Sequence, residues 1–206
     1  MCELSYIKNI QDLTVQSVHR THLIDSLLQV LQQHNSYTVA HNQRVGQISY
    51  CLASALELPD DQVSIIRESG HLHDIGKLFI PLSSICKTAS LNDLEYQEMQ
   101  THPEKGVEIL RRFEGLQNLV DGVLYHHERF DGLGYPYRLQ GEEIPLSARI
   151  IAIADTFDAM TSHRSYRPAL SVNEALSEIK AVAGTQLDPF LVEVALSLDL
   201  SVFVSS

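Results

Sequence analysis

Residues 60–77 read DDQVSIIRESGHLHDIGK, and this stretch decides the fold class. Two acids follow Pro59, the pattern that opens a helix with carboxylates at the positive end of its dipole. Val63, Ile66 and Gly70 then recur at spacings of three and four, the inner face of a helix. The run ends at His73 and Asp74, two residues of metal-ligand type. Lys77 stands three residues past Asp74, which puts ammonium and carboxylate on one side of a helical turn.

Helical periodicity continues on both sides. Upstream, Val45, Ile48, Leu52 and Leu56 form a second apolar stripe. Downstream, helices are expected over 104–113, 116–125, 145–162, 172–183 and 189–198. Their start signals are His102-Pro103-Glu104, Ser171 with Glu174 three residues on, and Asp188-Pro189. No two strand-like runs are joined by a hairpin signal, so the fold class expected is all-α. Residues 3–33 read as one or two amphipathic helices with a Leu23, Leu27, Val30, Leu31 stripe. That stripe fits a helix packed on the domain, or a dimerising or relay helix. The division expected is a helical segment over 1–35 and a domain over 36–206.

The chain of 206 residues is 44% hydrophobic and 20% charged, enough for one domain with a real core. No run of about 18 apolar residues suggests a membrane span. MCELSYIKNIQDL lacks the basic segment and apolar core of a secretory signal. Cys2, Cys51 and Cys86 are odd in number and form no CxxC pair, which disfavours a disulfide framework and points to a cytoplasmic location. A formal net charge of −11 argues against nucleic-acid polymers and anionic membranes as partners. A small phosphate-bearing ligand remains compatible, because bound cations can make one cleft positive.

Histidines occupy positions 19, 22, 34, 41, 71, 73, 102, 126, 127 and 163. His126 and His127 are adjacent, and Glu128 and a turn containing Gly132, Gly134 and Pro136 follow. Neighbours on a helix project about 100° apart, so a doublet offers two differently directed ligands to one ion or to two neighbouring ions. His41, His102 and Asp155 are further isolated ligand types on helices. Asp155 sits inside RIIAIADTFDAM, where a buried carboxylate needs a metal or an ion pair with Arg149 or Arg164. Imidazole and carboxylate without thiolate suit iron, manganese, cobalt or nickel, and zinc less. The seven donors exceed the needs of one ion, so two ions sharing Asp74 is the economical arrangement. His71 lies two residues from His73 and points away from it, which reads as a structural or surface histidine. Glu128 reads as a residue that orients a histidine.

HLHDIGK, HPEKGVEIL, HHERFDGLGYP, GEEIPLSARIIAIADTFDAMTSHRSYR and LDPFLVEV together resemble the HD-GYP family, a branch of the HD-domain metal-dependent phosphohydrolases. The resemblance covers roughly residues 36–198. It implies an HD-type helical bundle with a bimetal site and hydrolysis of cyclic di-GMP to pGpG, or on to GMP. Matched residue by residue, it implies His41, His73, Asp74, His102, His126, His127 and Asp155 as metal ligands, with Asp74 bridging two divalent ions, iron or manganese. A hydroxide between the ions would be the nucleophile. Lys77 would reach a phosphate oxygen, Arg164 and Arg167 would contact phosphate or guanine, and Gly134, Tyr135 and Pro136 would form the characteristic loop. Some family members carry a glutamate that helps hold a third metal; Tyr37 stands there in this chain, so two ions are expected. RSYR replaces the commoner Arg-Pro-Tyr-Arg and keeps both arginines. Two rival readings stand beside this one: a phosphohydrolase of another nucleotide, and a cyclic di-GMP-binding or docking module with weak catalysis. A diguanylate cyclase is the candidate protein partner, and oligomerisation is open.

Overall fold

The computed structural model describes residues 2–163 and 168–204, with side chains described for 18–35, 38–163 and 168–204. Arg164, Arg167 and the side chain of Tyr37 therefore lie outside the described residues. The long helices are α1 (Cys2–His34), α2 (Ser36–Ala55), α3 (Asp60–Leu72), α6 (His102–Leu110), α8 (Leu146–Thr161), α9 (Val172–Ala181) and α10 (Pro189–Leu196). Shorter α4 (Leu82–Ile85), α5 (Asp93–Met99) and α7 (Val120–Tyr125) fill the connections, and a tight 3-10 turn spans Ile75–Phe79. Among the described residues there is no strand, only an isolated bridge between Ala183 and Leu187. No helix among them is long and apolar enough to cross a membrane.

Two of the expected start signals operate as side-chain caps, while α3 and α6 begin without one. Ser171 accepts from Glu174 N–H and Glu174 reaches back to Ser171 N–H, a complete capping box. Asp188 accepts from the N–H groups of Phe190 and Leu191 ahead of Pro189. Helix α5 falls outside the expected set, although Asn92 and Glu95 form a full capping box there. Its seven residues include none that is buried, so no apolar stripe marked it.

The core divides in two. One part gathers Val45, Ile48 and Leu52 of α2, Ile150 to Phe157 of α8, and Ile179, Leu191 and Val192 of α9 and α10. The other gathers Ile24, Leu27, Leu28 and Leu31 of α1 with Leu110 of α6 and Val123 of α7. Helix α3 serves both, with Val63 and Ile66 in the first and Leu72 in the second. Its last turn therefore ends between the two cores.

The α1 stripe divides as well. Leu27 and Leu31 are buried, whereas Val30 is 50% exposed. Arg20 adds polar ties from α1 to Glu68 on α3, to Asn118 and to the carbonyl of Gly115. Each buried aliphatic contributes about 1.5–3 kcal/mol relative to exposure, while a partly exposed ion pair contributes about 0–1 kcal/mol. Apolar burial thus holds α1 down, and Arg20 sets where it lies.

Candidate metal centre

Helix ends place the donors. His73 and Asp74 follow the last turn of α3, and the chain then tightens into the 3-10 turn. Gly76 lets that turn press against α6, since a Cβ there would stand 1.9 Å from the carbonyl oxygen of His102. His102 begins α6, with Pro103 in its first turn. His126 and His127 follow the end of α7. His41 comes from α2 and Asp155 from α8.

Three of these histidines are held in the same way. The Nδ1 atoms of His73, His102 and His126 lie 2.8 Å from the carbonyl oxygens of Gly70, Met99 and Val123, each three residues back. A carbonyl only accepts, so each Nδ1 carries the hydrogen and each Nε2 presents a lone pair inward. His41 differs: its Nδ1 donates to Asp158 Oδ2 at 2.7 Å. Arg44 clamps the same carboxylate, its Nη2 3.0 Å from Oδ2, and Ser162 Oγ donates to it at 3.2 Å.

The inward atoms converge in groups that could hold metal ions: His41, His73 and Asp155; His73, Asp74 and His126; and His102, His126 and His127. Asp74 straddles them. Its Oδ1 is 3.3 Å from His102 Nε2, and its Oδ2 is 3.4 Å from His73 Nε2 and 3.9 Å from His41 Nε2. His41 Nε2 is 3.1 Å from Asp155 Oδ1. Asp74 is 1% exposed, yet Lys77 Nζ reaches its Oδ2 at 2.6 Å from the rim. Five of the donors, His41, Asp74, His102, His127 and Asp155, line one cavity of about 520 Å³ together with Lys77, and His73 and His126 group with them.

Burial shapes the charge states. It lowers His102 to about 3 and His127 to about 4, and pushes His126 well below the ordinary histidine value. His73 is lowered for the same reason. Burial alone would also lower His41, but its bonds to Asp155 and Asp158 outweigh that and lift it to about 9. For Asp74, burial acts upward and is overcome by Lys77, His73, His102 and His41, which hold it well below the carboxylate range. Asp155 is likewise depressed against its burial, chiefly by His41. Four histidines are therefore neutral at pH 7, the state in which imidazole binds metal.

The donor set fits cations on the structure's own terms. His102 Nε2 and His126 Nε2 face each other at 3.2 Å. Both Nδ1 hydrogens are committed to carbonyls, so two lone pairs meet with no proton between them. Nitrogens about 2.0–2.1 Å from a shared ion stand about 3 Å apart, which is this spacing. His73 Nε2 and Asp74 Oδ1 are buried with no hydrogen-bond partner. An orphaned basic nitrogen and an orphaned carboxylate oxygen in one buried cluster call for a positive charge.

Some expectations need correction. Glu128 does not orient a histidine: its carboxylate accepts the N–H of Tyr137 at 2.6 Å and of Leu139 at 3.2 Å, pinning the loop after GYP. Arg149 pairs with Asp188, and Asp155 faces His41. Gly132 has φ +78°, as the turn requires. Gly134 is needed for closeness instead, since a Cβ would lie 2.4 Å from Arg129 N and 2.6 Å from His127 O. Tyr135 stacks on His127 with ring centroids 4.8 Å apart, so the loop braces a candidate ligand. His71 stays outside the donor cluster and covers Gly46. Asp158 and Arg44 were missed by sequence reading. Asp158 stands three residues after Asp155, a spacing that puts both carboxylates on one side of α8, and that signal was available.

Comparison with known proteins follows the same lines. A family model for HD domains matches residues 25–191. The chain belongs to the HD domain family. Its motifs are of the HD-GYP type. It is 39% identical over 176 residues to the 3'3'-cGAMP-specific phosphodiesterase 2 of Vibrio cholerae, covering 84% of this chain and 34% of that protein. It is 38% identical over 177 residues to the cyclic di-GMP phosphodiesterase response regulator RpfG of Xanthomonas campestris, covering 84% and 46%. The HD-GYP chain thus spans between a third and a half of these relatives' lengths. Among solved structures, the cyclic GMP-AMP specific phosphodiesterase V-cGAP3 of V. cholerae superposes with a TM-score of 0.60 at 25% identity, covering 76% of this chain and 42% of that one.

Proposed function

We propose that the HD-GYP chain is a metal-dependent phosphodiesterase that hydrolyses cyclic di-GMP to pGpG. The observation that carries this is the opposed Nε2 pair of His102 and His126 beside a carboxylate whose two oxygens face different histidines. That arrangement supports two divalent cations, iron or manganese, held by His41, His73, Asp74, His102, His126, His127 and Asp155, with Asp74 shared. Two such cations, when bound, bring a shared water to a pKa near neutrality and polarise a phosphodiester for in-line displacement. The relatives named for cyclic di-GMP and 3'3'-cGAMP support a cyclic dinucleotide as the substrate class.

The chain's own groups divide the remaining work. Asp74 stays ionised and would serve both cations. The carbonyls behind His73, His102 and His126 keep each Nε2 aimed inward, so these three rings need not turn to bind. Lys77, one-quarter exposed on the cleft side, is placed to turn from Asp74 to a phosphoryl oxygen once the cations neutralise that carboxylate. Arg164 and Arg167 are proposed to contact phosphate or guanine from the segment after α8. A diguanylate cyclase remains the candidate protein partner.

The test is anaerobic purification with elemental analysis, then chromatography of the products from cyclic di-GMP with manganese or iron supplied. The reading expects two equivalents of metal and pGpG as product. Metal-loaded chain that binds cyclic di-GMP without turnover would establish the binding-module alternative. Because a relative at 39% identity is named for 3'3'-cGAMP, that nucleotide is the second substrate to assay.

A further inference from the structure

A second chamber of about 220 Å³ opens beside the metal cavity. The two meet along His127, Tyr135, Asp155, Thr156 and Gln186, which line both. We infer that this side chamber receives one nucleobase of the substrate and that Gln186 reads it. The inference rests on the phosphodiesterase reading above and names what that site recognises beyond the phosphate.

The chemistry of the walls separates the two chambers. His41, Asp74, His102 and Lys77 line only the larger one and make it the place for phosphate, while His127 and Asp155 stand on the border and His126 on the smaller side. The smaller one adds the carboxamide of Gln100 and the phenol of Tyr96 to the shared Gln186 and Tyr135. Its cation, Arg129, is already bidentate to Asp131 at 2.6 and 3.0 Å. Its extra carboxylate, Glu128, is committed to backbone N–H groups and repels anions. Away from the edge at His126, His127 and Asp155, a phosphate therefore finds no uncommitted cation among the chamber's side chains. A heterocycle gains aromatic faces to stack on and neutral amides that both donate and accept along its edge.

Gln186 is the residue placed to discriminate. Its Nε2 donates to Thr156 Oγ1 at 3.4 Å, and that hydroxyl donates in turn to Ala152 O at 2.7 Å. This chain of bonds orients the carboxamide and uses one of its two hydrogens. The remaining hydrogen and Oε1 offer a donor and an acceptor, the kinds of group with which a carboxamide pairs to a purine edge. The backbone is fixed independently, because Gln186 O accepts Phe130 N–H at the root of the GYP loop. Changing the side chain leaves that tie in place.

The test uses the manganese-loaded chain and the variants Gln186→Leu and Gln186→Glu, the second keeping the shape while replacing the donor. One arm measures binding of GMP against ribose 5-phosphate by calorimetry. The other measures kcat/KM for cyclic di-GMP relative to bis(p-nitrophenyl) phosphate, a diester with no purine. The inference expects GMP to bind tighter than ribose 5-phosphate, with the difference lost in Gln186→Leu. It also expects the kcat/KM ratio to fall by about tenfold or more, mainly through KM. Equal binding of GMP and ribose 5-phosphate by the parent chain, or a ratio unmoved in both variants, overturns it. A base-dependent GMP affinity that needs Gln186, without turnover of cyclic di-GMP, upholds the chamber while defeating the phosphodiesterase reading.

Discussion

His102 and His126 point their unprotonated Nε2 atoms at one another across 3.2 Å. Each ring is locked by a backbone carbonyl behind it, at Met99 and Val123. Neither ring can turn away without breaking that bond, so the pair stores an electrostatic demand that a cation meets.

Metal should therefore stabilise the chain. At about one hundred times its Kd, a ligand specific to the folded state adds about 2.7 kcal/mol. For a chain of this size that corresponds to a rise in Tm of about 5–11 °C. Differential scanning calorimetry with manganese and then with a chelator measures it. No shift at saturating metal would sink the proposed centre.

Asp158 should act on metal affinity without touching metal. It accepts His41 Nδ1–H and is itself held by Arg44. Loss of such a supporting carboxylate typically lowers metal affinity by about 10–100-fold. Asp158→Asn is expected to weaken manganese binding to that extent while the helical circular dichroism signal persists. Unchanged manganese affinity would show that His41 needs no support.

Metal uptake should release a proton. His41 is raised to about 9 by its bonds to Asp155 and Asp158, so it is protonated at pH 7.5 in the metal-free chain. Its Nε2 proton must leave before that atom can ligate. Titrations of manganese in buffers of different ionisation enthalpy at pH 7.5 should give about one proton released per chain. Above pH 9 the release should vanish, and His41→Gln should abolish it at pH 7.5.

The metal-free chain should be most stable near pH 6.5–7. His102 is lowered to about 3, and His71 and His127 to about 4. Unfolded histidines titrate near 6.5, so below that the unfolded chain binds protons that the folded one refuses. Stability is lost as pH falls from about 6.5 through 4. His41 works oppositely: its contribution is complete below 6.5 and is lost as pH rises through about 9. Urea midpoints in chelator across pH 4–10 should trace a maximum, steeper on the acid side. A flat profile would contradict the buried neutral state of the cluster.

Glu128 should matter for the GYP loop. It is 3% exposed and accepts two backbone N–H groups. In Glu128→Gln one acceptor becomes a donor facing a donor, a loss of about 1–3 kcal/mol. Faster amide exchange at Tyr137 and Leu139, together with a lower Tm, is the expected result. Because Tyr135 stacks on His127, manganese affinity should fall as well.

Much of this was legible before any coordinates. Helix α3 could be placed from Pro59, the acids after it and the Val63, Ile66, Gly70 face. Helices α9 and α10 could be placed from their caps. Helix α5 was missed because none of its residues is buried. Its Asn92–Glu95 box was readable, but a cap without a stripe is a weak signal. The role of Glu128 was misread because its partners lie nine and eleven residues away on a loop, where local spacing carries no information.

Residue types and local spacing determined by themselves that the chain is helical, where several of its helices begin, and that adjacent histidine and carboxylate residues are candidates for metal ligation. Those properties depend on caps, turns and side-chain periodicity within a few residues. Only the tertiary structure decided that Oδ1 and Oδ2 of Asp74 face different histidines, that Asp158 stands behind His41 from 117 residues away, and that a side chamber meets the cleft at Gln186. These are relations between elements far apart in the chain. They are set by how buried apolar faces pack, and no short stretch of sequence encodes that packing alone.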